Sequence, residues 1–128
     1  MVVIDTHVLV QDALEPRRIS TRARRALEGD HGPLAASDIS LWEMAMLIAK
    51  GRVRVAADAA QFIDDVIQAR AIRVLPITPA IAVLAQSDAF AHGDPADRII
   101  AATAIVHGAA LVTADKALQK TRRLTAIW

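Results

Sequence analysis

Four acidic residues stand at positions where a carboxylate could do more than dissolve the chain. Asp5 directly follows the apolar run Val2-Val3-Ile4, and Asp115 follows Leu111-Val112-Thr113 by two residues. Asp97 comes three residues after Asp94, just past Pro95. Glu43 lies inside Leu41-Trp42-Glu43-Met44-Ala45-Met46-Leu47-Ile48-Ala49, where every neighbour is apolar. A carboxylate in such surroundings is costly unless it is paired, protonated or bound to a cation. Carboxylates gathered at one place repel one another unless a cation sits between them. The chain has no cysteine, so oxygen ligands would have to do the holding. They suit a hard ion such as Mg²⁺ or Mn²⁺. An ion held this way can polarise a phosphate and activate water, which makes phosphodiester hydrolysis the natural chemistry.

The elements that must position these acids can be read from the hydrophobic pattern. Val2–Asp5 is a short strand-like run, and a helix from Thr6 to about Leu14 stops near Pro16. Ser20 can cap a helix over Thr21–Glu28 that ends at Gly29. Pro33–Ala36 reads as a strand, after which Ser37 or Asp38 caps an apolar helix ending near Lys50-Gly51. Asp58 to about Arg70 is amphipathic, and Arg73–Ile77 is a strand whose end Pro76 weakens. Helices follow from Pro79 to about Phe90 and from Asp94-Pro95 to His107-Gly108. The pattern then gives a strand over Ala110–Thr113, a short helix over Asp115–Lys120 and a strand over Leu124–Trp128. Strands alternating with helices imply parallel βαβ units, and so a three-layer α/β/α sandwich around a mainly parallel sheet.

In a parallel sheet Asp5 and Asp115 both fall at the carboxyl edge, where α/β folds place ligands. Asp97 opens a helix that runs antiparallel to the strand after it, so its start lies at the same edge. Glu43 is only ~9 Å along its helix from that edge at the α-helical rise. Each Asp also has a simpler reading as a helix cap or a favourable charge on a helix N-terminus. Glu43 resists that reading, although Lys50 or Arg98 could pair with it. Thr6 and Thr113, beside the two strand-end acids, could orient a carboxylate or simply shape turns.

Composition narrows the field. At 128 residues the chain is one domain of ordinary size, and 54% hydrophobic residues exclude wholesale disorder. The longest charge-free run, from Ile99 to Ala114, is too short for a membrane span, and Met1-Val-Val-Ile-Asp5 has no signal-peptide character. Lack of cysteine suits a reducing cytoplasm. The net charge of +1, from 15 basic and 14 acidic residues, lacks the strong basic balance expected of a nucleic-acid protein. Setting aside the four candidate ligands leaves 15 basic against 10 acidic residues, a balance of +5. Twelve of the basic residues are Arg, five of them between positions 17 and 25. That segment suits phosphate contacts or a solvated face. Trp42 reads as a core residue of its apolar helix, and His7 and His92 as turn or surface residues within reach of the site.

The order of motifs resembles the PIN-domain ribonucleases, and among them the VapC-type toxins of type II toxin–antitoxin pairs. The resemblance covers the whole chain, read as a single domain over 1–128. It rests on Asp5-Thr6, Ser37-x-x-Ser40-x-Trp42-Glu43, Lys50-Gly51-Arg52, His92-Gly93-Asp94-Pro95-Ala96-Asp97-Arg98, Leu111-Val112-Thr113-Ala114-Asp115 and Ile127-Trp128. It implies that Asp5, Glu43, Asp97 and Asp115 are the metal-binding, catalytic acids. It further implies Mg²⁺, with Mn²⁺ as a substitute, an RNA substrate, a homodimer and a small VapB-type antitoxin over the site. Asp94 reads as a cap with a supporting role, and Arg98 as an RNA contact or a structural ion pair. This chain has His7-Val8-Leu9-Val10-Gln11-Asp12 where the family often has an aromatic, and Ala96 where it often has a bulkier residue. Both departures bear on substrate fit rather than on the acids. Two other readings compete. A phosphoacceptor domain would need an acidic pair after the first strand, and Asp5 stands alone. A catalytically silent PIN-like binding module would show degenerate acids, and all four are intact.

Overall fold

The computed structural model describes residues 1–90 and 93–128. The expectation for His92 therefore lies outside the described residues. Five strands, β1 (Val2–Ile4), β2 (Leu34–Ser37), β3 (Arg73–Leu75), β4 (Ala110–Val112) and β5 (Ala126–Ile127), form one sheet in the order β3-β2-β1-β4-β5. Every pairing is parallel, with Val3 opposite Ala35 on one side and Leu111 on the other. The helices are α1 (Thr6–Leu14), α2 (Thr21–Leu27), α3 (Ile39–Ala49), α4 (Ala59–Ala69), α5 (Pro79–Ala85), α6 (Pro95–Val106) and α7 (Lys116–Gln119), with a 3-10 turn at Pro16–Arg18.

The three-layer sandwich expected from the alternation is present. Val2 and Ile4 face a core layer with Val8, Leu9, Ala23, Met44 and Val66. Val3, one residue out of phase, faces the opposite layer with Ile81, Ile100 and Leu118. The period-2 alternation of a strand thus feeds two cores, and β1 is buried on both faces, as a central parallel strand should be. In α6, Ala101, Ala102 and Ala104 are completely buried. Such small side chains let this helix lie close against the sheet. On the α1 side, Arg70 ties α4 to α1 and α2 within one helical layer. Its guanidinium donates to both Asp12 oxygens at 2.7 and 2.8 Å and to the Leu27 carbonyl at 3.3 Å.

Several ends differ from the sequence reading for local reasons. Strand β3 stops at Leu75 because Pro76 has no N–H to continue the ladder. Helix α5 stops at Ala85 rather than near Phe90. There the Ser87 hydroxyl donates to the Leu84 carbonyl at 2.7 Å and accepts from the Ala89 N–H at 3.3 Å, turning the chain.

The larger correction concerns α3. Trp42, expected in the core, is 61% exposed. The buried stripe of α3 is Ser40, Glu43, Met44 and Leu47, at helical spacing. Trp42 lies off that stripe, so α3 buries a serine and a glutamate while showing a tryptophan to solvent. No helix among the described residues is long and apolar enough to cross a membrane.

Candidate active site

The chain leaves β1 toward β2 on one side and returns from β3 to β4 on the other. The crevice at the carboxyl ends of β1 and β4 is therefore the switch point of the sheet, where doubly wound folds bind ligands. Asp5 sits in it. Its N–H extends the ladder by donating to the Val112 carbonyl at 3.0 Å, which fixes its place relative to β4. Its side chain is 3% exposed and makes no capping bond to α1, so the capping reading fails for this residue.

Thr113 binds the two strand-end acids together. Its hydroxyl donates to Asp5 Oδ2 at 2.7 Å and accepts the Asp115 N–H at 3.0 Å. Asp115, half-buried, also caps α7 by accepting the Leu118 N–H at 3.0 Å. Thr6, fully buried, pins α1 to α3 through its 2.8 Å bond to the Ser40 hydroxyl. Both threonines thus have the orienting positions the sequence allowed, and Ser40 is a partner that was read only as part of a motif. Its spacing of three from Glu43 was the available signal, since residues three apart share a helix face.

The remaining acids come from α3 and α6. Glu43 is 3% and Asp97 6% exposed. One carboxylate oxygen from each of Glu43, Asp94 and Asp97 lies within 4.8 Å of the others. Asp94 also caps α6, accepting the Ala96 N–H at 2.9 Å. A carboxylate offers about four lone-pair sites, so capping and ligation are compatible. Sequence reasoning gave Asp94 a supporting role, whereas its spacing of three from Asp97 puts both on one face of α6. Arg98 is half-buried beside Asp97 on the same helix. Lys50, exposed at the far end of α3, stays in solvent.

Burial sets the electrostatics. Desolvation raises the pKa of Asp5 above its ordinary value, and the Thr113 hydrogen bond offsets part of that rise. The exposed His7 imidazole and the His7 N–H also favour the charged form, while Asp115 opposes it. Desolvation likewise raises Glu43, offset by the Thr6 hydroxyl and by His7, and reinforced by the negative charges of Asp5 and Asp94. One oxygen of Asp5 (Oδ1) and one of Glu43 (Oε1) are buried without any hydrogen-bond partner. Orphaned acceptors of this kind are rare, because each costs about 1–3 kcal/mol. Repelling acids with two vacant lone-pair positions fit a divalent cation held by oxygen ligands.

Comparison with known proteins agrees with this geometry. The PIN domain family model matches residues 2–124. The chain is also 37% identical over 130 residues to Ribonuclease VapC22 of Mycobacterium tuberculosis, covering 99% of this chain and 98% of that protein. The chain belongs to the PIN-domain family, as a VapC-type member. Its fold matches that in the crystal structure of VapBC2 from Rickettsia felis bound to a promoter DNA fragment. The TM-score is 0.71 at 19% identity, over 98% of this chain and 97% of that one. A toxin–antitoxin complex from Klebsiella pneumoniae matches with a TM-score of 0.68 at 22% identity, over 98% and 96% of the respective chains. In this PIN domain Glu43, Asp94 and Asp97 form one tight cluster, while Asp5 and Asp115 are joined to each other through Thr113 and lie outside that cluster.

Proposed function

We propose that this PIN domain, a single domain over 1–128, is a divalent-metal-dependent endoribonuclease toxin of the bacterial cytoplasm, checked by a small VapB-type antitoxin. The observation that carries the reading is the pair of orphaned, buried carboxylate oxygens on Asp5 and Glu43 beside the Glu43–Asp94–Asp97 cluster. The ribonuclease assignment of a relative 37% identical over the whole chain supports it. Asp5, Glu43, Asp97 and Asp115 are the catalytic acids that hold Mg²⁺ or Mn²⁺, with Asp94 as a fifth carboxylate at the rim. When bound, such an ion supplies Lewis acidity toward a phosphate oxygen and makes water a better nucleophile at neutral pH.

The protein's own groups do the positioning. Thr113 holds Asp5 at a fixed angle to the crevice, and Thr6 with Ser40 holds α1 against α3 so that Asp5 and Glu43 face one space. Arg98, half-buried beside Asp97, either contacts the RNA backbone or serves as a structural ion pair. Water attacks phosphorus in line and the bond to the 3′ oxygen breaks, leaving 5′-phosphate and 3′-hydroxyl ends. The antitoxin covers the rim, docking on α3 (Ile39–Ala49) and on residues 59–67 of α4; Trp42, 61% exposed, offers it an anchor on the first. The protein acts as a homodimer.

Mapping RNA ends after brief induction of the wild type beside Asp97→Asn tests the reading. New 5′-phosphate ends should arise with the wild type only. Full wild-type cleavage by both the purified Asp5→Asn and Asp97→Asn proteins would overturn it.

A further inference from the structure

A concavity lies along the side of α1. His7 and Gln11 line it from one face of that helix, with Glu15 just past its end and Arg18 from the 3-10 turn. Leu47 at the end of α3 and Arg52 just beyond it close the other side. The cavity is about 280 Å³, at the small end of ligand pockets and suited to one nucleoside rather than a larger group. It begins at His7, two residues after Asp5 in the first turn of α1. Its contents would therefore be next to whatever the acids hold.

The wall chemistry is that of a nucleotide site. Val10 and Leu47 give an apolar surface against which a base can lie. Arg18 and Arg52 are exposed at the mouth and give positive charge for a phosphate. The Glu15–Arg18 contact, at 3.6 Å with both side chains more than half exposed, is weak and leaves Arg18 able to turn to a ligand. Among these groups stands Gln11, whose Oε1 is buried with no hydrogen-bond partner. As packed, this oxygen is turned away from solvent, and its unmet bond is a cost that a ligand's donor removes once the carboxamide turns toward the cavity. The terminal carboxamide torsion is soft, so the group can swing to present both its acceptor and its donor.

We propose that this cavity is the subsite for the nucleotide adjoining the scissile phosphate, and that the Gln11 carboxamide selects its base. The assignment rests on the ribonuclease reading above. A carboxamide pairs in two-point fashion with the Hoogsteen edge of adenine, accepting from N6–H and donating to N7, a donor–acceptor pair no other base presents on that edge. Adenine is the base this residue favours. Arg18 and Arg52 hold the phosphate beyond that nucleotide and carry no base preference.

The test uses short single-stranded RNAs that differ only in the base beside the cleavage point. Anisotropy measures binding with the full-length protein in Ca²⁺, and product formation is followed in Mg²⁺. Wild type should prefer adenine by about tenfold in both. Gln11→Leu should lose that preference while binding the other bases as before, and Gln11→Glu, which only accepts, should move it toward bases offering two donors. Arg52→Ala should weaken all four RNAs about equally, with a shallower salt dependence. Unchanged base preference in Gln11→Leu overturns the subsite and leaves the ribonuclease reading standing. RNA that is never cut, yet bound with a preference that Gln11→Leu abolishes, overturns the ribonuclease reading and leaves the cavity as a base-selective RNA-binding site only.

Discussion

Replacing Asp5 by Asn should abolish cleavage and yet make the metal-free protein more stable. Asp5 is 3% exposed and has one oxygen bonded to Thr113 at 2.7 Å and one with no partner. Its charge therefore sits in a site with little to compensate it, where the effective penalty for a buried ion is several kcal/mol. Asn keeps an acceptor for Thr113 and removes the charge. Against that gain stands an unpaired amide donor, worth about 1–3 kcal/mol. The balance is a stabilisation of about 1–2 kcal/mol, within the range seen when a strained functional group is removed. For a chain of this length, each kcal/mol moves the melting temperature by roughly 3–5 °C, so the variant should melt about 3–10 °C higher in EDTA.

Metal should reverse the order. Saturation at a hundredfold excess over Kd adds about 2.7 kcal/mol to the wild type and little to the variant. The pH dependence has a definite sign. The folded-state pKa of Asp5 is raised, so the folded protein holds this proton more tightly than the unfolded chain does. The wild-type penalty is complete above the raised pKa. It disappears as pH falls toward the ordinary Asp value of about 3.9, closing the gap between the two proteins. Calorimetry in EDTA and in Mg²⁺ across that range is the assay. A variant that melts below the wild type in EDTA, or gains as much from Mg²⁺, would refute the reasoning.

Other outcomes follow from single contacts. Thr113→Val removes the hydroxyl that supports the charged form of Asp5; the acid limb of the pH–rate profile should move to higher pH, and an unmoved limb would deny Thr113 its role. Asp115→Ala deletes the α7 cap as well as an acid, and should cost about 1 kcal/mol in urea melts in addition to activity. Arg70→Ala leaves the Asp12 carboxylate, its side chain only 15% exposed, without its two-point partner. Denaturation should show a loss of about 2–3 kcal/mol with cleavage per folded molecule unchanged. Trp42→Ala should change stability by less than about 0.5 kcal/mol because the ring is mostly in solvent, while copurification with the antitoxin should fall.

Much of this was legible because the relevant patterns are local. The alternation of strands and helices gave the layers, and Ser20, Asp94 and Asp115 cap as their positions suggest. The convergence of acids followed from one rule, that strand ends and the starts of antiparallel helices share an edge. Helix α3 was misjudged because periodicity is hard to read when nearly every residue is apolar. Its buried stripe is marked by Ser40 and Glu43, polar residues that a hydrophobicity count discards. The closeness of Asp94 to Glu43, and the orphaned oxygens of Gln11, Asp5 and Glu43, depend on packing between distant segments. No spacing within one segment encodes them.

The carboxylates fall into two mechanical classes, and the division explains how the rim tolerates its own repulsion. Asp94 and Asp115 each accept a helix N–H, where negative charge is favoured by the helix dipole. Their positions cost little, and the backbone fixes their angle. Asp5 and Glu43 make no capping bond; the Thr113 and Thr6 hydroxyls and, for Asp5, the His7 N–H favour their charged forms, with one oxygen each unmet. The capped pair can stand at the mouth of the crevice without destabilising the fold. The uncapped pair is stable in its charged form only with a cation present. Cation affinity should therefore depend more steeply on Asp5 and Glu43 than on Asp94 and Asp115, even though all four carry the same charge. Titration calorimetry of the four Asn or Gln variants would rank them, and equal losses would show that charge count alone, rather than burial, sets the affinity.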